Sequence, residues 1–109
     1  MNIKRLFHGR TVRRHILFEG EVQMVGFRYH AWVAAHERKL GGYVKNLDDG
    51  RVEMEAEGEE RLIKEVLREL KGKEHIRIDR MEITEMEVKG EQEFHVIDQG
   101  EIVDLYYQY

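Results

Sequence analysis

Arg28 is the residue of this 109-residue chain with the plainest chemical potential. It closes the segment GEVQMVGFR (20–28), in which a strand pattern runs directly into a helix pattern with Gly26 at the junction. A short loop there leaves backbone N–H groups unpaired and converging at a helix N-terminus, a site for an anion before any side chain counts. Arg28, on the first turn of the expected helix, adds a planar fork of donors suited to phosphate oxygens. The candidate loop is therefore Gln23, Met24, Val25, Gly26, Phe27 and Arg28. A second segment, GYVKNLDDG (42–50), sets Asn46 in a strand leading into a tight hairpin. Alone, Asn46 could be an asparagine that precedes a turn and bonds nearby backbone.

Other reactive side chains carry less. There is no cysteine, which excludes disulfides and thiol catalysis and fits a cytoplasmic location. His8, His15, His30, His36, His75 and His95 show no metal-ligand spacing. His30 and His36 are six residues apart and diverge by roughly a third of a helical turn. We expect no metal and no cofactor. Glu53, Glu55 and Glu57 alternate along one strand and read as its solvated face.

Positioning the loop and Asn46 requires a small set of elements. In HILFEGEVQ, beginning near residue 14, Ile16, Phe18, Gly20 and Val22 share one face, a strand with one side buried. FRYHAWVAAHERKL (27–40) predicts a helix whose stripe is Phe27, Ala31, Ala34 and Ala35, ended by Gly41-Gly42. Asp49-Gly50 marks a hairpin, with Val52, Met54 and Ala56 on the buried side of the returning strand. Leu62, Ile63, Val66, Leu67 and Leu70 define a second helix at about 59–71. HIRIDRMEITEMEV reads as one long strand whose alternation slips near Asp79-Arg80, the mark of a bulge. EFHVID supplies a short final strand. The tail EIVDLYYQY, with Tyr106, Tyr107 and Tyr109, could extend the sheet, pack on it or mediate self-association.

This order predicts an α+β, ferredoxin-like βαββαβ sandwich: an antiparallel sheet, two helices on one face and a short extra C-terminal strand. Residues 1–13 form a basic N-terminal extension, a solvated arm carrying Lys4, Arg5, Arg10 and Arg13. Residues 14–98 form the domain and 99–109 a C-terminal extension. Hydrophobic residues are 41% and charged residues 37% of the chain, a soluble profile with core enough for one domain. The formal charge of −4 argues against a dedicated nucleic-acid binder. No apolar run approaches the roughly 20 residues that span a bilayer, and the basic start has no signal-peptide core.

Over residues 14–98 the chain resembles the acylphosphatase family. The family signatures are Val-Gln-Gly-Val-Gly-Phe-Arg, then Gly-Trp-Val-Lys/Arg-Asn followed by Asp-Gly and a Val-Glu strand. Here they stand as Val22-Gln23-Met24-Val25-Gly26-Phe27-Arg28, Gly42-Tyr43-Val44-Lys45-Asn46 and Asp49-Gly50-Arg51-Val52-Glu53. The resemblance implies hydrolysis of acyl phosphates, with Arg28 and the loop N–H groups holding phosphate and Asn46 orienting the attacking water. It implies a small-molecule substrate, inorganic phosphate as product, no metal, no nucleic acid, no membrane, and a monomer or weak homodimer.

Three positions depart from the family pattern. Met24 replaces a loop glycine, which costs on the order of 1 kcal/mol or more if the backbone there needs φ > 0. Tyr43 stands for Trp. Lys39 occupies the helix-ending position where Gly is common, a role Gly41-Gly42 would take over. The alternative reading is a phosphate- or acyl-phosphate-binding module whose turnover Met24 impairs. A ferredoxin-like RNA-binding domain would instead need exposed aromatic and basic residues on the sheet.

Overall fold

The computed structural model describes residues 9–104. Its elements are β1 (Thr11–Glu21), α1 (Phe27–Glu37), β2 (Gly41–Asn46), β3 (Val52–Glu59), α2 (Glu60–Lys71), β4 (Arg77–Met86), β5 (Phe94–Asp98) and β6 (Glu101–Ile102). The six strands form one sheet in the order β4-β1-β3-β2-β5-β6. The two halves interleave: β1 and β2 flank β3, and β1 lies between β3 and β4. Each crossover carries a helix. α1 packs over β2 and β5, α2 over β3, and the helices touch each other. The expected ferredoxin-like sandwich is present. One element differs, because β5 pairs parallel to β2 and makes the sheet mixed rather than wholly antiparallel. The cause is the connection 87–93, which leaves the β4 edge and crosses the end of the sheet to reach the far side of β2.

Period-two and helical patterns agree on the core between sheet and helices. Ile16, Phe18, Val44, Val52, Met54 and Ala56 from the strands meet Phe27, Ala31, Ala35, Ile63, Val66 and Leu70 from the helices. Each of the valine, leucine, isoleucine, phenylalanine and methionine side chains among them contributes about 1.5–3 kcal/mol by leaving water. The bulge lies where the alternation slips: Glu19 pairs with Arg80 but Gly20 with Ile78, leaving Asp79 as the extra residue. Gly20 has φ 135°, and a Cβ there would stand 2.1 Å from the Arg77 carbonyl oxygen, so only glycine lets β4 approach.

The first helix ends earlier than expected and by another device. Lys39 adopts φ 56°. Its N–H bonds the His36 carbonyl at 3.1 Å, and the Leu40 N–H bonds the Ala35 carbonyl at 3.0 Å. This is a Schellman turn with a left-handed lysine where glycine is usual, and buried Leu40 supplies its apolar contact. Gly41-Gly42 does not stop the helix; it opens β2.

Two surface expectations are corrected. β1 begins at Thr11, inside the stretch read as a solvated arm, and Arg13 is 1% exposed. Glu55 and Glu57, read as a solvated face, are buried as well. Each correction explains the other. Arg13 binds Glu55 (Nη2–Oε1 2.7 Å), Glu57 (Nη1–Oε1 3.0 Å) and Glu91 (Nη2–Oε1 3.0 Å) on the helix-free side of the sheet. The crossing connection covers them, and Glu57 also accepts the N–H groups of Lys89 (2.7 Å) and Gly90 (2.8 Å). The Tyr43 hydroxyl is shared between Glu53 (2.9 Å) and Glu55 (3.0 Å), and His15 Nε2 lies 2.9 Å from Glu53. Burial opposes ionisation of Glu55 and Glu57, but these donors outweigh it and hold both carboxyls below their usual range.

The C-terminal segment extends the sheet through β6, which pairs with β5. Asp104 clamps it, accepting the Val96 N–H and lying 2.7 Å from His95 Nδ1. The expectations for Lys4, Arg5, His8, Tyr106, Tyr107 and Tyr109 lie outside the described residues.

Candidate active site

The register brings the two sequence segments to one end of the sheet. Phe18 of β1 and Asn46 of β2 both pair with Val52, from opposite sides of β3. Chain leaving β1 therefore emerges close to the end of β2. β5 runs parallel to β2, with Lys45 opposite Ile97, so Asp98 reaches the same end.

Between β1 and α1 the loop is pinned from beneath. Val22 and Phe27 are 1% exposed, and the Phe27 ring packs 4.7 Å from Phe18. The intervening backbone folds back through two left-handed residues, Met24 at φ 61° and Gly26 at φ 79°. Gly26 is the N-cap of α1, and its carbonyl accepts the His30 N–H at 3.0 Å. No side chain caps the helix, and its first turn holds no acid. The N-terminal N–H groups and the positive end of the helix dipole are left to serve an anion. Burial, then the neighbouring Lys73 and His75, lower the pKa of His30, which stands one turn on.

Met24 resolves the concern about the missing glycine in an unexpected way. The backbone does take φ > 0, and the side chain meets the cost of about 1–2 kcal/mol that this conformation imposes. Yet the side chain is 100% exposed, so it does not fill the loop.

Arg28 and Asn46 share a property that no other described residue has. Arg28 Nη1 and Asn46 Oδ1 are the two buried side-chain polar atoms without a hydrogen-bond partner among the described residues. Arg28 Nη1 has only an ion-pair contact, 3.5 Å from Asp98 Oδ1. Leaving such atoms unpaired costs about 1–3 kcal/mol each, so folded chains keep few of them outside ligand sites. One is a cationic donor and the other a neutral acceptor. Together they fit a phosphate and a water molecule. Beside Asn46 an open cavity of about 560 Å³ is lined by Lys45, Leu47, Asp48, Ile97, Asp98 and Gln99, among others.

One neighbour, Asp98, escaped the sequence reading, and the side-chain contacts of another, Gln23, did as well. Asp98 reaches Arg28 because β5 adds parallel to β2, a pairing no local pattern announces. Gln23 belongs to the loop as expected, but its side chain is engaged elsewhere. Nε2 donates to the carbonyls of Leu47 (2.8 Å) and Arg51 (2.9 Å) in the β2–β3 hairpin.

Fold and site together define a ferredoxin-like α+β domain whose first helix starts, without a side-chain cap, at a tight loop carrying Arg28. The acylphosphatase family model matches residues 14–96. The acylphosphatase of Geobacillus thermodenitrificans is 41% identical over 90 residues, spanning 81% of this chain and 96% of that protein. The crystal structure of acylphosphatase from Bacillus subtilis superposes with a TM-score of 0.74 at 37% identity, covering 80% of this chain and 99% of that one. Full-length HypF in its phosphate- and nucleotide-bound form gives a TM-score of 0.72 at 31% identity, over 82% of this chain and 12% of that one. The chain belongs to the acylphosphatase family.

Proposed function

We propose that this protein hydrolyses acyl phosphates, with Arg28 and the backbone N–H groups of residues 23–28 holding the phosphate and Asn46 orienting the attacking water. The observation that carries this reading is the pair of buried atoms without a hydrogen bond among the described residues, Arg28 Nη1 and Asn46 Oδ1, at one end of one sheet. The Asn46 carbonyl oxygen can accept a hydrogen from water and aim its lone pair at phosphorus. A bond forms from the water oxygen to phosphorus as the bond to the acyl oxygen breaks. The carboxylate leaves with the bonding pair, and both protons of the water end on the phosphate product.

The chemistry asks little more of the protein. A carboxylic acid has a pKa of about 4, so the leaving group departs at neutral pH without a general acid. Charge stabilisation and positioning remain, the terms that dominate phosphoryl transfer. Every residue this requires is in the loop or at the end of β2.

Hydrolysis of acetyl phosphate or benzoyl phosphate tests the function directly. Asn46→Ala is expected to lower kcat by about 10²–10³, the scale of one well-placed hydrogen-bonding group. Its inhibition constant for inorganic phosphate should stay near the parent value, because the loop and Arg28 are intact. Full turnover in Asn46→Ala would remove the water-orienting role.

Met24→Gly separates the enzyme from a binding module. Its side chain points to solvent, so its removal should change turnover less than about threefold. Relief of the left-handed strain should add about 1 kcal/mol of stability, read from urea denaturation. A gain of several orders of magnitude in turnover from an inert parent would identify the natural protein as a binder.

A further inference from the structure

We propose that the side chain of Gln23 is a positioning residue, which fixes Asn46 against the phosphate loop. The proposal rests on the reading of Asn46 as the group that orients water. Gln23 lies two residues beyond the end of β1, at the start of the loop. Its amide reaches the neck of the hairpin that carries Asn46, bonding the Leu47 carbonyl at 2.8 Å and the Arg51 carbonyl at 2.9 Å.

Those two carbonyls already close the hairpin. The Leu47 N–H donates to the Arg51 carbonyl at 2.9 Å, and the Gly50 N–H donates to the Leu47 carbonyl at 3.2 Å. A carbonyl oxygen has two acceptor positions, and Gln23 takes the second on each. A carboxamide nitrogen carries two N–H donors, so both are consumed here and neither is left for substrate. Gln23 therefore serves the anion site through its backbone and serves Asn46 through its side chain.

The clamp stands where the sheet gives no support. Pairing of β1 with β3 stops at Phe18 and Val52, and residues 19–21 pair only with β4. Among the described residues, no other side-chain hydrogen bond joins residues 22–28 to residues 46–51. Arg28 and Asn46 thus reside on segments that share a packed base through Phe27, Phe18 and Val52, and above that base the Gln23 amide supplies the direct side-chain link between them. A displacement of about 1 Å between reacting groups can cost about 10²-fold in rate. Glutamine also has the right composition for the task. Asparagine is one methylene shorter, and glutamate would turn a carboxylate toward two carbonyl oxygens with nothing to donate.

Steady-state hydrolysis of benzoyl phosphate, with inorganic phosphate as competitive inhibitor, tests this in four proteins: the parent, Gln23→Met, Asn46→Ala and the double variant. Gln23→Met is expected to lose at least tenfold in kcat while its phosphate inhibition constant stays within about threefold of the parent value. In the Asn46→Ala background the same substitution should cost less than about threefold, because the group it positions is gone. Gln23→Glu should be impaired at neutral pH and recover as the pH falls and its carboxyl, on protonation, regains one donor. Parent kcat in Gln23→Met, or an equal loss with and without Asn46, overturns the proposal. A loosened phosphate constant in Gln23→Met also overturns it, since that reports collapse of the loop. Full activity in Asn46→Ala would instead strike at the underlying reading of Asn46.

Discussion

Replacing Arg28 with alanine is expected to lower kcat/KM for benzoyl phosphate by at least about 10³-fold while leaving the fold as stable as before, or more so. The rate loss follows from the geometry of the fork. Charge-assisted bonds to phosphate are roughly twice as strong as neutral ones, and a single donor aimed at developing charge is already worth about 10²–10³. Stability should behave oppositely, because Arg28 contributes little to the folded state. Among the described residues its only ion pair is the 3.5 Å contact to half-exposed Asp98, and Nη1 is buried without a hydrogen bond. Alanine removes that buried, unsatisfied donor. Arg28→Lys keeps the charge and loses the planar fork, so it should restore only part of the rate. Activity assays and urea denaturation on the same samples read both effects. Parent activity in Arg28→Ala would remove the residue from the site.

Arg13→Met should be the converse, costing stability rather than chemistry. Removing one partner of a buried ion pair costs about 3–5 kcal/mol, because the remaining charge stays buried and uncompensated. Here Glu55 and Glu57 both remain, with Lys89 Nζ 3.5 Å from Glu55. The effect should depend on pH with a definite sign. Glu53, Glu55 and Glu57 have carboxyls held below their usual range in the folded chain. Their stabilisation is therefore present above the unfolded value of about 4.3 and lost as the pH falls through the folded values. The parent should weaken on acidification. In Arg13→Met the same carboxyls lose their cation, and protonation relieves them, so the deficit should narrow between pH 7 and pH 4. Urea midpoints at the two pH values measure this. Turnover of the folded fraction should be near the parent level, since Arg13 lies at the opposite end of the sheet from Asn46.

These two arginines mark what the sequence could and could not disclose. The placement of Arg28 is legible because its setting is local: a strand, a short loop with Gly26 and a helix start are contiguous in the chain. The placement of Asn46 at a strand end is legible for the same reason, through the hairpin that follows it. The bulge at Asp79 announced itself as a break in alternation. Arg13 was misread because a basic run resembles a solvated arm until its partners are known. Those partners, Glu55, Glu57 and Glu91, lie more than 40 residues away. The glutamate row was misread for the reciprocal reason: alternation reports two faces of a strand, but not that the 87–93 connection covers the second. The parallel addition of β5, and with it Asp98 beside Arg28, is likewise a property of the crossing path. Lys39 shows a subtler limit, since a left-handed helix stop normally advertises itself by glycine, and here a lysine accepts the strain.

The most direct test of the phosphate site is a titration of the protein with inorganic phosphate, followed through its backbone and side-chain amide NMR signals. A phosphate site in this loop predicts saturable shifts in the N–H groups of residues 23–28 and in the Asn46 side chain, all with one dissociation constant, and their loss in Arg28→Ala. Shifts centred elsewhere on the protein, or loop shifts that survive unchanged in Arg28→Ala, would contradict it.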